Sequence, residues 1–294
     1  MTDKKETKVV IKRYKDCKVV RQEYTPLWRD VQDYVSPSRI IKDNFEDYTS
    51  KSQQKDIYIN DPTAYIAVTQ AADYILGIIW GSGNNVFQLE PSRYVKDLLG
   101  DENQLDEYYK WSSSVLIDEM NHSESGLIPA LKSHTQDQSS FGTSGVGAYP
   151  NKDFVENKAE NALQFKRYGV YNACIDEGAN GKIDVVYSIH HWRVSRIIKE
   201  FAVINGELDK KEFAKLPDEI QKTYNSGNYT QKFKIVHGVL PHEDYSVGKI
   251  GKRGTRYKGF WFYEPEEHIF AEEYYKTAPI AMARSIKISD EVYS

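Results

Sequence analysis

Phe141-Gly-Thr-Ser-Gly-Val-Gly147 marks the point at which the periodicity of the chain changes. Before it, apolar residues recur every three or four positions, the spacing of one face of a helix; after it they recur every second position, the spacing of a strand with one buried side. The chain therefore reads as α+β, with a mainly helical part over residues 1–142 and a part over residues 143–294 built from antiparallel strands and short helices. No internal repeat or low-complexity linker separates the parts, which predicts one body. Gly142 suits the end of a helix that feeds a strand. A phosphate cradle needs the opposite order, strand, glycine loop, helix, and a P-loop also needs a lysine that this run lacks. Gly142-Thr-Ser-Gly145 likewise fails the spacing of a nucleophile elbow.

Upstream of the switch, residues 5–24 read as an exposed, basic amphipathic helix. Thr25 and Pro26 then suit the cap and first position of a second helix, which Ser36-Pro37 stops. Residues 38–56 have no period and read as a mobile loop. Asn60-Asp-Pro62 opens the most apolar helix, whose face includes Ile75, Leu76 and Ile79 and is wide enough to predict a buried spine under the sheet, from Asn60 to Trp80. A strand at Val86–Leu89 and helices near 102–121 and 126–140 follow. Downstream, strands are expected at Gly145–Tyr149, Leu163–Tyr168, Val170–Ile175 and Ile183–His190, as one meander. Short helices near 193–202 and 217–225 come next, then strands at Phe233–Leu240, Gly259–Tyr263 and Ile269–Tyr274.

The 294 residues carry 39 basic and 43 acidic side chains, so no global field draws the chain onto nucleic acid or an anionic membrane. Hydrophobic residues make up 40% and the Tyr count is 22, which predicts a thin core and aromatic-finished surfaces that await partners. Cys17 and Cys174 are too far apart in sequence for a thiol motif and read as packing residues in a reducing compartment. The N-terminus lacks the apolar core of a signal peptide, and the longest apolar run, Tyr74–Trp80, is far short of the roughly 20 residues that cross a bilayer; no membrane association is expected.

No constellation specifies chemistry. His190 and His191 are strand neighbours that point to opposite faces and cannot grip one ion. Glu264-Pro-Glu-Glu-His268 reads as a solvated turn. No catalytic residue, cofactor or metal is expected, and the chain is not read as an enzyme. The one charged feature is Lys249-Ile-Gly-Lys-Arg-Gly-Thr-Arg-Tyr-Lys258, in which Lys249, Lys252, Arg253, Arg256 and Lys258 stand without an acid between two strands. It suits a protruding loop that touches another subunit, with the acidic run Glu264–Glu273 of a neighbour as its mate, or one that touches nucleic-acid phosphates; a solubilising turn is the plain alternative.

Several short motifs, in order, carry a resemblance. They are Arg21-Gln-Glu-Tyr-Thr-Pro-Leu-Trp-Arg-Asp-Val-Gln-Asp-Tyr-Val-Ser-Pro37, Ile57-Tyr-Ile-Asn-Asp-Pro-Thr-Ala64, Phe87-Gln-Leu89 and Ser140-Phe-Gly-Thr143. Leu216-Pro-Asp-Glu-Ile220, Val236-His-Gly-Val239, Pro241-His-Glu-Asp244 and Ser289-Asp-Glu-Val-Tyr293 continue the series. In this order the chain resembles the portal proteins, or head-to-tail connectors, of short-tailed double-stranded DNA bacteriophages. The resemblance implies a portal wing, helical over 1–142 and β-rich over 143–294. The chain stops inside the last motif, with Ser294 where the family has Gly, so stem, clip and crown are expected to lie outside it.

The resemblance further implies a homo-oligomeric ring, a dodecamer at one capsid vertex, that forms the channel for viral genome packaging and ejection. Its implied partners are the major capsid protein, tail adaptor proteins, the terminase motor during packaging, and double-stranded DNA bound non-specifically. Its implied places are the host cytoplasm during assembly and then the portal vertex of the virion. The alternatives are a soluble α+β enzyme of unrecognised type and a nucleic-acid-binding module built on residues 249–258.

Overall fold

The computed structural model describes residues 4–35, 62–80, 87–99, 102–151, 154, 159–178, 181–204, 206–242, 254–285 and 292–293. Helix α1 (Lys4–Tyr34) is followed by α2 (Thr63–Trp80), α3 (Arg93–Leu99), α4 (Glu102–Asn121) and, after a 3-10 turn at Ser123–Ser125, α5 (Leu127–Phe141). Gly142 ends α5 in the left-handed region at φ 77°, with its N–H on the Gln138 carbonyl at 3.0 Å, and the chain passes directly into β1 (Thr143–Pro150). The switch from helix to strand falls where the period changes.

The strands after β1 are β2 (Leu163–Gly169), β3 (Ala173–Glu177) and β4 (Ile183–Arg193). Helix α6 (Val194–Phe201), a small hairpin β5 (Val203–Ile204) and β6 (Glu207–Leu208), and helices α7 (Lys210–Phe213) and α8 (Asp218–Asn225) intervene. Then come β7 (Lys232–Pro241), β8 (Tyr257–Tyr263), β9 (His268–Tyr275) and β10 (Ile280–Arg284). They form two main antiparallel sheets, one ordered β10-β1-β2 and the other β3-β4-β7-β8-β9. The expected single meander is thus split: β2 does not pair with β3, because Val170–Asn172 turn the chain from one sheet into the other.

Three further readings are corrected. The first helix does not break at Thr25-Pro26. One stripe, Val10, Tyr14, Cys17, Arg21, Thr25 and Trp28, stays buried on both sides of the Pro, and Pro26 itself lies on the exposed side. This stripe lies in the cores beneath α1, and the other face of the helix is exposed, as its amphipathic pattern predicts. Phe87–Leu89 is not a strand; the Leu89 amide donates to Ser113 Oγ of α4 at 2.8 Å. Finally, α2 packs on α5 rather than under the sheet, and among its described side chains Ala72 is the buried one. The expected loop at 38–56 lies outside the described residues.

The five-stranded sheet carries a core on each face. Toward α1, Tyr187, Ile189, Val236, Leu240, Phe260 and Phe262 meet Val10, Tyr14 and Cys17. On the other face, Trp192, Phe233, Trp261 and Phe270 pack under α6 and α8, while Val186, Val239 and Tyr168 join the two sheets. Burying side chains of this size contributes about 1.5–3 kcal/mol each.

Candidate interaction surface

The most exposed apolar residues lie on α2, α3 and α4. Asp73 pairs with Lys132 of α5 at 2.7 Å, Thr69 accepts from Gln136 at 3.4 Å, and the Trp80 indole donates to Asn121 at 2.6 Å; these contacts fix which side of α2 faces the subunit. The opposite side carries Ala67, Ala71, Tyr74, Ile75 and Ile78, a stripe without a charge. Tyr74 is 72% exposed and Ile78 65%. On α4, Tyr108, Trp111 and Val115 form a second stripe, with Trp111 63% exposed. A helix that shows apolar residues in this density to solvent marks an interaction site rather than a normal monomer surface. Val19, Leu27 and Tyr34 make a further outward stripe on α1, well separated in sequence from the first.

Several charged residues are paired within the subunit. Glu264 accepts from Lys18 and Lys234 at 3.2 Å each and from the Tyr14 hydroxyl at 3.5 Å, and Lys15 meets Glu267 at 2.6 Å. Burial alone pushes Glu264 up, but the two lysines outweigh it and hold its carboxyl below the ordinary range. Glu266 accepts the Asp218 and Glu219 amides at 3.0 Å and so caps α8. The turn expected to be merely solvated is a clasp between α1, the sheet and α8.

The five basic residues do not act as one set. Lys249, Lys252 and Arg253 lie outside the described residues. Arg256 is exposed just before β8, its amide on the Tyr275 carbonyl at 3.1 Å. Lys258 is no loop residue. It is 5% exposed within β8, and its ammonium lies 2.6 Å from Glu6 and 3.2 Å from Glu272. Burial pushes Lys258 down, yet the two carboxylates outweigh it and raise its pKa above the usual lysine value. The acidic run expected to serve a neighbour is also committed within the chain, because Glu264, Glu266, Glu267, Glu272 and Glu273 all have partners in the subunit.

Between the two cores on the face away from α1 runs a polar seam. His237 stacks on Trp261 at 4.2 Å between ring centres and places Nε2 3.3 Å from Glu273, which also accepts from the Tyr275 hydroxyl. Ser188 Oγ and His190 Nε2 lie 2.8 Å apart, and the Tyr149 and Tyr168 hydroxyls 2.6 Å apart. Burial, with the neighbouring His237, Lys166 and Arg196, pushes His190 down to about 3. Such a seam holds a fixed geometry and places no nucleophile in water. Burial likewise pushes the Cys17 thiol up to about 12 and that of Cys174 to about 11, which makes them packing groups. Among the described residues, no group of three His, Cys, Asp or Glu is placed to hold a metal ion, and no helix is long and apolar enough to cross a membrane.

Sequence reasoning located the apolar face of α2 but assigned it to the interior, since an apolar run has the same spacing whether its cover is the same chain or another. Tyr108 and Trp111 of α4 were the available signal, as aromatics of this kind are enriched where partners meet. The family model described as bacteriophage head to tail connecting protein matches residues 7–294. No curated protein matches the chain.

Proposed function

The chain belongs to the bacteriophage head to tail connecting proteins, structural components of the virion that associate with head and tail, and from that premise we propose that it is a subunit of a portal ring. The observation that carries this reading is the uncharged outer stripe of α2, Ala67, Ala71, Tyr74, Ile75 and Ile78, which an isolated subunit leaves in water. A ring supplies its cover: a head-to-tail contact joins two different patches on neighbouring copies and repeats until the rotation closes. The stripes on α2 and α1 provide two such patches on one chain.

In this reading residues 1–142 and 143–294 are the helical and β-rich parts of a portal wing, in a ring that the resemblance sets at twelve copies. The ring sits at one capsid vertex, passes double-stranded DNA during packaging and ejection, and meets the major capsid protein, tail adaptors and, during packaging, the terminase motor. It assembles in the host cytoplasm before it becomes part of the virion. The subunit carries out no covalent chemistry. DNA contact is through phosphates without base readout, and the net charge of −4 suits a conduit that does not hold its cargo. Lys249, Lys252, Arg253 and Arg256 remain the residues proposed to touch a neighbour or DNA; Lys258 leaves that set. Native mass spectrometry tests the reading: species at many multiples of 33.9 kDa are expected, and a monomer at every concentration contradicts it.

A further inference from the structure

The end of the five-stranded sheet beside α1 holds more positive charge than its own carboxylates match. Arg193 of β4 stands directly opposite Lys232 of β7, and His191 opposite Lys234. Their side chains share the α1 face of the sheet, because Tyr187, Ile189, Val236 and Leu240, an even number of places away, lie in the core under that helix. Glu264 serves both Lys234 and Lys18 of α1, at 3.2 Å each. Arg193 is exposed and pairs with no carboxylate among the described residues. Like charges directly opposite one another destabilise a ladder, and an anion over them removes the cost. Beside Lys18 on α1 stands Val19, 58% exposed, which opens the outward stripe of that helix.

The stripe on α4 has the opposite charge. Glu107, Tyr108, Trp111, Val115 and Asp118 are all exposed and share one face of the helix, with a carboxylate toward each end. Glu107 and Asp118 pair with no cation among the described residues, and Lys110 lies about 100° round the helix from Trp111. The Trp80 bond to Asn121 joins the C-terminal ends of α2 and α4, so the Asp118 end of this stripe lies near the Ile78 end of the uncharged one.

We propose that the cationic sheet end of one copy docks on the α4 face of the next, which gives the ring contact a charged half beside its apolar half. This assignment rests on the ring reading. Two observations make a second copy the occupant. One chain carries both unmatched charges, cations on one patch and carboxylates on another, so each copy supplies what its neighbour lacks. Each charged patch also adjoins one of the two apolar stripes that the ring joins, Val19 beside Lys18 and Ile78 near Asp118, so one head-to-tail contact covers all four. The aromatic rings fit as well: the aliphatic stems and charged heads of Arg193 and Lys232 suit the faces of Tyr108 and Trp111. A phosphate chain has no such use for them, and it would be repelled by Glu264 within the cationic patch.

The test is a charge exchange in the full chain, read by sedimentation velocity at equal concentration. One variant carries Arg193→Glu and Lys232→Glu, the other Glu107→Lys and Asp118→Lys. Each should lower ring assembly at least about tenfold. All four substitutions together should restore it to within about threefold of the unmodified chain, because the charges meet again with their signs exchanged. A further readout needs no variant: rings of the unmodified chain should loosen as salt rises from about 0.1 to about 1 M. If both variants assemble as the unmodified chain does, or if its rings are indifferent to salt, this contact is overturned and the ring reading stands. Loss in each variant without recovery in the combination also overturns it, since the two patches then do not meet. Loss of duplex DNA affinity in Arg193→Glu, Lys232→Glu with assembly unchanged gives the patch to nucleic acid instead. An unmodified chain that stays monomeric at every concentration overturns both this contact and the ring.

Discussion

The amide of Ile175 donates to the hydroxyl of Tyr293 at 3.1 Å, a bond between residues 118 positions apart that closes the outer edge of β3. The Tyr293 ring lies edge-on to Trp28 at 4.9 Å and tilted against Tyr24 at 5.2 Å. One side chain from the last described residues thus ties the first helix to the sheet. Burial raises the Tyr293 hydroxyl well above its ordinary pKa, so it remains an intact phenol at every working pH.

Tyr293→Phe keeps the ring and leaves the Ile175 donor without a partner, and should cost about 1–3 kcal/mol. Tyr293→Ala also empties the space between Tyr24 and Trp28 and should cost about 3–5 kcal/mol. Urea unfolding of the two variants beside the unmodified chain checks both the values and their order. Equal losses would mean that the ring contributes nothing beyond its hydroxyl.

Lys258→Met removes the cation between Glu6 and Glu272. The expected cost is about 3 kcal/mol, toward the lower end for breaking a buried pair because both carboxylates keep some water. Adding Glu6→Gln and Glu272→Gln should recover most of it, since the uncompensated charges then disappear. Because the folded pKa of Lys258 is raised, its contribution is complete below the ordinary lysine value of about 10.4 and fades as pH climbs through the folded value. DNA affinity, read in a salt series, should not change, because this lysine faces inward.

Two groups in the seam make the fold sensitive to acid. His190 is held neutral, with a folded pKa of about 3, so its contribution is full above the ordinary histidine value of about 6.5 and is lost as pH falls toward 3. Burial pushes Glu273 up, but His237, Tyr275 and Trp261 outweigh it and hold it at about 2; its contribution is full above the usual value of about 4.3 and fades toward 2. Stability should therefore fall from about pH 6.5 downward. In His190→Gln the decline should begin nearer pH 4, as measured by urea midpoints between pH 7 and 3. An unchanged curve in the variant would remove His190 from this role.

How far the sequence was legible varies with the distance over which each residue finds its partner. The change of period at Gly142 is local, and the structure turns from helix to strand there. The strands at Ile183–Arg193, Lys232–Pro241 and Tyr257–Tyr263 read as dense runs of β-branched and aromatic residues because both faces of their sheet are covered. Failures came where a partner is remote. Arg21 interrupts the apolar stripe of α1 on paper, yet it is buried, with its guanidinium on the Val170 and Tyr171 carbonyls at 2.9 Å each. Thr25-Pro26 has the composition of a helix start, but the burial of Trp28 one turn later carries the helix through it. Lys258 looked like the last cation of a basic loop because its two acidic partners are on α1 and β9, and the seam of His190, His237 and Glu273 joins three strands that no spacing rule connects.

The central claim is that the outer stripe of α2 is covered by a neighbouring copy in a ring. The double variant Tyr74→Lys, Ile78→Lys changes two exposed side chains that no described contact uses, so helical content and unfolding midpoint should stay within about 0.5 kcal/mol of the unmodified chain. Native mass spectrometry of the two proteins at equal concentration is then decisive. The unmodified chain should give a closed species many times 33.9 kDa and the variant a monomer. The account is contradicted if the variant assembles to the same mass, or if the unmodified chain stays monomeric at every concentration.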